Sequence, residues 1–217
     1  QMYRGIENIS ASPFAGLDPD TGMIDGVPYK LFSILPLTKQ ISVADYLELA
    51  MREYNDAIEN GKTPIFVGGS GYYIGVLLNG ISPIPEVSDE NRERARKMVH
   101  DCPDAVKQLL PEDFVLRDPQ RSARALEVFL ETGRPLSEWQ TLPRRGAIKP
   151  APFKILINPH REILLDRIAG RIPEMLSGGA MDEARLVIKS GWDENRAIGA
   201  GQLCKLIRGE IDAKDAF

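Results

Sequence analysis

The segment TPIFVGGSGYYIGVLL, residues Thr63–Leu78, contains the pattern that decides the fold class. A run of β-favouring residues, Thr63–Val67, leads into Gly68-Gly69-Ser70-Gly71, and apolar residues at helical spacing follow. This order predicts a strand, a tight glycine turn and a helix. Such turns hold anions in α/β proteins, because backbone N–H groups approach the ligand closely and the helix start adds positive potential.

Two interpretations of this turn are open from the residues alone. It is not a Walker A loop, because no Gly-Lys-Ser/Thr follows it. The turn either approaches a phosphate-bearing ligand, or it needs Gly68, Gly69 and Gly71 only because a buried strand turns sharply into a helix there. Without further information the second interpretation is the one we favour.

Composition narrows the class of protein. The 217 residues, 43% of them hydrophobic, can bury a sizeable core. With 27 basic and 31 acidic residues the net charge is −4, so a nucleic-acid surface has to be local. Two cysteines and two histidines are too few for a zinc cluster or a disulfide framework, which favours the cytoplasm. No apolar run approaches the length of a membrane span, so we expect no membrane partner.

Helix and strand patterns alternate at the two ends of the chain. Three segments have strand character: Pro28–Leu35, Thr63–Val67 and Phe153–Ile157. An amphipathic helix over Ser42–Asn60 is predicted between the first and the second segment. A further helix is predicted to start at Asn158-Pro159, directly after the third segment. Alternation with short links predicts an α/β fold with a parallel sheet covered by helices.

Local capping signals delimit two of the predicted helices. Ser42 with Asp45 three residues later predicts a capped helix start, and Gly61 can close that helix in the left-handed conformation. Asp118-Pro119 predicts the N-cap and first position of another helix, which Gly133 ends.

The alternation of strand and helix patterns stops in the middle of the chain. Pro83 and Pro85 interrupt regular structure, and Asp89–His100 is a helix pattern dense in charge. We therefore predict an α/β core formed by residues 1–85 and 146–217, and a mainly helical insertion formed by residues 86–145.

A basic region lies within that insertion and just beyond it. Between Arg117 and Lys149 there are seven basic and four acidic residues, whereas the rest of the chain has 20 basic and 27 acidic ones. Gln120, Arg121 and Arg124 form a polar edge of one helix. Such a region suits contact with a phosphate backbone. The alternative is a solvated helix face with an arginine paired to Glu127 or Glu131, and without further information this alternative is the one we favour.

A second candidate for anion binding is Arg171 in the last third. Arg167 stands four residues earlier, so two like charges share a helix face, which is mildly unfavourable unless an anion lies beside them. The alternative is that both are ordinary solvent-facing arginines.

Five motifs in series carry a resemblance to a known family: QMYRGIENISAS, TPIFVGGSGYYIGVLLNGISPIP, DPQRSARALEVFLETGRPLSE, RIPEMLSGGAMDEA and RAIGAGQL. Their order and content resemble bacterial tRNA dimethylallyltransferases, also called tRNA isopentenyltransferases, along nearly the whole chain. The resemblance implies a core like that of P-loop NTPases with a helical insertion. It also implies transfer of a dimethylallyl group from dimethylallyl diphosphate to N6 of the adenosine beside the tRNA anticodon, with Mg²⁺ as cofactor.

The resemblance also implies roles for individual residues. Arg171 corresponds to an arginine at the diphosphate, and Gly68, Gly69 and Gly71 belong to a second glycine loop that lines the adenine-side channel. The residues matching tRNA-contacting positions are Gln1, Ser70, Arg92, Gln120, Arg121, Ser122, Ala123, Arg124, Arg196, Ala197, Ile198, Gly199, Ala200 and Gly201. We expect a monomer that binds the anticodon stem-loop, and none of the named residues is predicted as a metal ligand.

The sequence departs from the family pattern at several places. The P-loop and the aspartate that serves as general base are expected before Gln1, so we expect these 217 residues alone to transfer no prenyl group. Ser70 stands where threonine is usual. An aromatic and a basic residue are common where Ala200 and Gly201 stand, and a short apolar stretch with proline normally separates Asn195 from Arg196. An RNA-binding fragment without activity and a nucleotide phosphotransferase remain the alternatives.

Overall fold

The computed structural model describes residues 1–111, 114 and 118–216. Over these residues the chain is mostly helical, with ten α-helices: α1 Val43–Glu59, α2 Gly71–Asn79, α3 Asp89–Asp101, α4 Pro103–Leu109, α5 Pro119–Thr132, α6 Leu136–Thr141, α7 Arg161–Ser177, α8 Ala180–Ser190, α9 Ala200–Arg208 and α10 Ala213–Ala216. Two short strands, β1 Met23–Ile24 and β2 Val27–Pro28, form an antiparallel hairpin, and 3-10 turns occupy Pro19–Thr21 and Glu194–Arg196. The chain divides into unit 1, Gln1–Pro64 with Phe153–Phe217, and unit 2, Ile65–Pro152.

The predicted capping signals operate as expected in two helices. At the start of α1 the Ser42 hydroxyl accepts from the Asp45 N–H at 3.2 Å, and the Asp45 carboxylate accepts from the Ser42 N–H at 2.8 Å. At the start of α5 the Asp118 carboxylate accepts from the Arg121 N–H at 2.9 Å, and Gly133 ends the helix with a φ of 68°. Both predicted helices are confirmed.

The core of unit 1 lies between its N-terminal segment and helices α8 and α9. Its buried members are Ile6, Ile9, Leu37, Ala180, Ala184, Val187, Trp192, Ala200, Leu203 and Cys204. The ring of Tyr3 meets Trp192 edge to face, with centroids 5.2 Å apart, which extends the cluster to the first residues of the chain. Distant parts of the sequence therefore meet in one hydrophobic cluster.

Unit 2 is built around the packing of α3 on α5. One of its hydrophobic clusters contains Ala95, Val106, Leu110, Ala125 and Leu126. Small residues on α3 and α5 let the two helices approach closely, and α4 adds Val106 and Leu110 to the same cluster. At one end of the pair Glu131 of α5 accepts hydrogen bonds from the first residues of α3.

In unit 2, residues 77–81 form backbone hydrogen bonds with residues 145–148. Ile81 and Arg145 exchange two backbone hydrogen bonds of 2.9 and 3.0 Å, and the Ile148 N–H donates to the Leu77 carbonyl at 2.9 Å. Gly80 has a φ of +71°, and a Cβ there would collide with the Arg145 carbonyl, so only glycine fits. The predicted insertion boundaries at residues 85/86 and 145/146 stay a prediction.

The parallel sheet is not seen among the described residues, and this corrects the strand predictions. Neither Thr63–Val67 nor Phe153–Ile157 is a strand. In the predicted strand Pro28–Leu35, Pro28 belongs to β2, and Leu35 forms only an isolated parallel bridge with Tyr3. Val67 is 85% exposed and Phe153 is 92% exposed. β-Branched and aromatic residues favour strands because they pack on a pleated, half-buried surface, and these segments lack that surface.

One helix boundary was also predicted wrongly. Helix α7 begins at Arg161, with His160 in the N-cap position, rather than at Asn158-Pro159. Within the described part of the chain, no helix has the length and apolar character needed to cross a bilayer.

Candidate functional site

Arg171 projects from α7 in unit 1 and is anchored by a neutral group. Its Nη2 donates a hydrogen bond to the Ile9 carbonyl at 2.8 Å. Across residues 1–111, 114 and 118–216, Arg171 forms no ion pair with a carboxylate. Because a carbonyl orients a guanidinium without cancelling its charge, Arg171 keeps a full positive charge and spare N–H donors for an anion.

Gln1 contacts the same short segment of chain. Its Nε2 donates to the Ala11 carbonyl at 2.6 Å. We call residues Asn8–Ser12 the 8–12 loop. The structure therefore brings Gln1 and Arg171, two predicted site residues 170 positions apart in the sequence, onto one loop.

Glu183, in the first turn of α8, also binds the 8–12 loop. Its Oε1 accepts from the backbone N–H and the side-chain Nδ2 of Asn8, each at 2.8 Å. Its Oε2 accepts from the Ile9 N–H, also at 2.8 Å. A half-buried carboxylate with three N–H donors is a strong local anchor, because each bond is charge-assisted.

Gly178 makes room for this anchor. Its φ of −74° suits any residue, so the constraint is one of space. A Cβ at this position would collide with Asn8 Oδ1 and would lie 3.1 Å from both Asn8 Cγ and the Glu174 carbonyl. Gly178 therefore permits the approach of Asn8 that lets its amide reach Glu183.

In unit 2 the predicted tRNA residues lie on α3 and α5, apart from Ser70 before α2. Gln120 and Arg121 are exposed at the start of α5, and Arg121 makes no side-chain ion pair within the described residues. Arg124 pairs with Glu127 at 3.1 Å, and Arg92 pairs with Asp89 at 3.1 Å.

Not all members of this set present a side chain to solvent. Ser122 and Ala123 are buried in unit 2, so they contribute packing where they lie. Arg117, which belongs to the predicted basic region, lies outside the described residues. The paired-arginine alternative thus describes Arg124 but not Arg121.

The predicted contacts from Arg196 to Gly201 surround the start of α9 in unit 1. Arg196 ends the 3-10 turn Glu194–Arg196 and its Nη2 donates to Gln40 Oε1 at 3.3 Å. Ile198 is 97% exposed, whereas Ala200 is buried in the core of unit 1. Gly199 precedes α9 with a φ of 92°, which favours glycine. Ala197 and Gly201 are half-buried.

The charged neighbours of this segment are neutralised. Glu194 binds Arg208 at 2.7 and 3.0 Å, and those hydrogen bonds lower the pKa of the Glu194 carboxyl. Burial raises the pKa of the Cys204 thiol to about 11, so it stays protonated and is no nucleophile at neutral pH.

The glycine loop at residues 68–71 precedes α2 in unit 2. Ser70 occupies the N-cap position, but its hydroxyl makes no capping bond. Gly68, Gly69 and Gly71 have no positive φ, and a Cβ on any of them would meet nothing within 4 Å. Within unit 2, neither the backbone conformation nor a close contact requires glycine at these three positions, so the interpretation that a sharp turn needs them is not supported.

Potential metal ligands do not cluster in the described part of the chain. Among the described residues, no group of three or more histidine, cysteine, aspartate or glutamate side chains is placed to hold a metal ion.

The profile of the IPP transferase family matches residues 1–217. The chain belongs to the IPP transferase family. The match confirms the resemblance read from the five sequence motifs.

Curated relatives of this family carry consistent names. A tRNA dimethylallyltransferase of Rickettsia bellii (strain OSU 85-389) is 31% identical over 229 residues, covering 100% of this chain and 71% of the relative. The tRNA dimethylallyltransferase of Maridesulfovibrio salexigens is 35% identical over 232 residues, with 100% and 72% covered. That of Zymomonas mobilis is 37% identical over 223 residues, with 98% and 69% covered.

Solved structures agree on the fold. A tRNA Δ2-isopentenylpyrophosphate transferase of Staphylococcus epidermidis is similar with a TM-score of 0.58 and 24% identity, covering 100% of this chain and 72% of that one. A full-length tRNA isopentenylpyrophosphate transferase of Bacillus halodurans gives a TM-score of 0.59 at 23% identity, with 100% and 69% covered. Because both sequence identities are below 25%, this similarity is evidence for a shared fold only.

Sequence reasoning missed three residues of the site: Asn8, Gly178 and Glu183. All three lie inside quoted motifs, but their partners are up to 175 positions away in the chain. The adjacent Gly178 and Gly179 before a helix were a usable signal for a close approach, although nothing local identifies Asn8 as the group that approaches.

Proposed function

We propose that this protein transfers a dimethylallyl group from dimethylallyl diphosphate to N6 of the adenosine beside the anticodon of a tRNA. Support comes from the family match over the whole chain and from relatives named tRNA dimethylallyltransferase. The proposal includes an α/β core of the P-loop type with a helical insertion, and the similarity to solved tRNA isopentenylpyrophosphate transferases supports a fold shared with those proteins.

The reaction makes clear what the protein has to supply. The bond between the allylic carbon and the diphosphate oxygen breaks, a bond from that carbon to N6 forms, and the N6 proton passes to a base. Negative charge accumulates on the departing diphosphate, and donors already aimed at it lower the barrier. The weakly nucleophilic amine needs a carboxylate to orient it and accept its proton.

Arg171 carries the proposal on the diphosphate side. It is held at the Ile9 carbonyl and, within the described residues, has no carboxylate to neutralise it. An arginine oriented in this way offers its remaining N–H groups to phosphate oxygens in a planar fork. We assign Arg171 to the diphosphate.

The RNA contacts are proposed from the remaining candidates. Arg121 and Gln120 present exposed polar groups at the start of α5, where phosphate contacts strengthen binding in a salt-dependent way. The adenine has to leave the stacked anticodon loop before it can react. The other proposed contacts are Gln1, Ser70, Arg92, Ser122, Ala123, Arg124 and the segment from Arg196 to Gly201.

Mg²⁺, a cytoplasmic location and a monomeric state complete the proposal. Mg²⁺ is commonly held by substrate phosphates, waters and one or two carboxylates, so its presence does not depend on a protein cage. When bound, it would neutralise charge on the diphosphate.

A transfer assay tests the proposal. The native protein, with any residues that precede Gln1, is incubated with dimethylallyl diphosphate labelled in the prenyl group, Mg²⁺ and an anticodon stem-loop RNA. We expect label in the RNA, recovered after nuclease digestion as N6-dimethylallyladenosine. A stem-loop in which uridine replaces that adenosine is the control and should stay unlabelled. Binding of the RNA without transfer would indicate an RNA-binding protein, and transfer of phosphate from ATP would indicate a phosphotransferase; either result would overturn the proposal.

A further inference from the structure

We infer that Glu183 is a positioning residue that fixes the 8–12 loop so that the Ile9 carbonyl orients Arg171 toward the diphosphate. This inference rests on the proposed function, because Arg171 is assigned to the diphosphate there. Glu183 itself touches neither substrate nor reacting atoms. It acts through Ile9.

Ile9 is the link between the carboxylate and the guanidinium. Its N–H donates to Glu183 Oε2 at 2.8 Å, and its carbonyl accepts from Arg171 Nη2 at 2.8 Å. Its side chain is buried in the core of unit 1, with 1% exposed. With three attachments Ile9 cannot rotate without breaking a charge-assisted hydrogen bond or leaving the core, so a displacement at Glu183 reaches Arg171 directly.

Asn8 and Gly178 complete the arrangement. The Asn8 amide donates to Glu183 Oε1, and Gly178 leaves the space in which Asn8 Oδ1 lies. The loop thus gives the carboxylate three N–H donors and no cation.

The same arrangement keeps Glu183 away from Arg171 as an ion-pair partner. In the part of the chain that the structure describes, no ion pair joins the two residues, although both bind Ile9. A carboxylate satisfied by backbone and amide N–H groups does not compete with a diphosphate for the guanidinium. Glu183 therefore orients Arg171 while leaving its charge available.

The test compares Glu183→Gln with Asp182→Asn in the native protein. Both changes remove one negative charge from the first turn of α8, but the Asp182 carboxylate pairs with Arg185 at 2.6 Å and, among the described residues, forms no hydrogen bond with the 8–12 loop. A glutamine amide cannot accept from the Ile9 N–H with its nitrogen. We expect Glu183→Gln to lower kcat/KM for dimethylallyl diphosphate by about 10- to 100-fold, as for a misplaced catalytic group, while Asp182→Asn stays near wild type. Binding of the anticodon stem-loop by Asp182→Asn should equal that of wild type.

A double-mutant cycle separates positioning from a general loss of structure. In an Arg171→Ala background, Glu183→Gln should cause little further loss of kcat/KM, because the group it positions is gone. Fully additive losses, or a Glu183→Gln protein that behaves like Asp182→Asn, would overturn the inference. If Glu183→Gln does not fold, Asn8→Ala carries the same cycle, with a smaller expected loss because it removes one of the three bonds.

A binding measurement separates this inference from the proposed function. Titration calorimetry with inorganic diphosphate should show weaker binding to Glu183→Gln than to wild type, whether or not prenyl transfer occurs. Equal binding would reject the positioning role alone, whereas a wild-type protein without transfer activity would reject the proposed function alone.

Discussion

Two arginines at predicted substrate positions are held in opposite ways. In unit 2, Arg124 pairs with Glu127, a buried carboxylate that also lies 4.0 Å from Arg96. In unit 1, Arg171 donates to the neutral Ile9 carbonyl, and the carboxylate of Glu183 is occupied by N–H donors.

The difference separates an arginine that serves structure from one available to a ligand. Arg124 compensates the charge of Glu127, so its own field at the surface is reduced. Arg171 is oriented by the Ile9 carbonyl, and within the described residues no carboxylate pairs with it. The placement of the nearby carboxylates, rather than the arginines themselves, decides which guanidinium can bind an anion.

The largest effect is expected from removing the uncompensated arginine. Arg171→Ala should lower kcat/KM for prenyl transfer by about 10²-fold or more, the range for loss of one donor to a developing anion. Arg171→Lys should restore part of the activity, because lysine supplies charge without the planar fork. Steady-state kinetics with labelled dimethylallyl diphosphate measure both variants. Wild-type activity in Arg171→Ala would remove this residue from the site and end the comparison.

The second prediction concerns the space that Gly178 leaves for Asn8 of the 8–12 loop. Gly178→Ala should push Asn8 away from Glu183 and destabilise the protein by about 1–3 kcal/mol through a forced shift and a lost charge-assisted hydrogen bond. Gly170→Ala in α7 is the matched control: a Cβ there meets nothing within 4 Å, and alanine in a helix interior should stabilise by up to about 1 kcal/mol. Urea unfolding measures both, and equal stabilities would show that Asn8 moves aside freely.

The third prediction sets Arg124 against Arg121 within α5. Arg121→Ala should lower the log–log salt slope of stem-loop binding by about one unit, and Arg124→Ala should lower it by less, because Glu127 compensates the charge of Arg124. Arg124→Ala should in addition destabilise unit 2 by about 1 kcal/mol, because Glu127 loses its closer partner. Filter binding at several salt concentrations and urea unfolding measure the two effects. An unaltered salt slope in both variants would identify the region as a solvated helix face.

The smallest effect concerns Glu131, the carboxylate that caps α3 in unit 2. Hydrogen bonds from the Asn91 side chain and from the backbone and side chain of Ser88 lower the pKa of the Glu131 carboxyl. A depressed folded-state pKa adds stability that is complete above the unfolded value of about 4.3 and is lost as the pH falls through the folded value. Glu131→Gln cannot titrate, so its stability should fall less than that of wild type on acidification. Urea unfolding between neutral and acidic pH gives both slopes, and parallel slopes would exclude the contribution.

Prediction from sequence succeeded where the interacting groups are close along the chain. The start of α1 depends on Ser42 and Asp45, and the ends of α5 depend on Asp118 and Gly133, all within a few residues of the backbone groups they satisfy. Such hydrogen bonds form almost independently of the rest of the protein. The family was likewise identified from motifs and confirmed by the match over residues 1–217.

Prediction of strands failed because a strand is defined by its neighbours. Thr63–Val67 and Phe153–Ile157 have the composition of buried strands, yet neither pairs within the described residues. The backbone groups of a strand need a partner strand, and composition carries no information about where that partner lies.

The sequence by itself determined helices α1 and α5 with their caps, the charge of each segment and the family to which the chain belongs. It also marked Arg171 and Arg124 as candidates, but it could not tell a compensated arginine from an uncompensated one. Only the tertiary structure decided that, by bringing Glu183 to Asn8 and Ile9 across 175 and 174 positions of chain. The physical reason is that local hydrogen bonds depend on neighbours in sequence, whereas the charge left on a side chain depends on every group that folding places within a few ångströms of it.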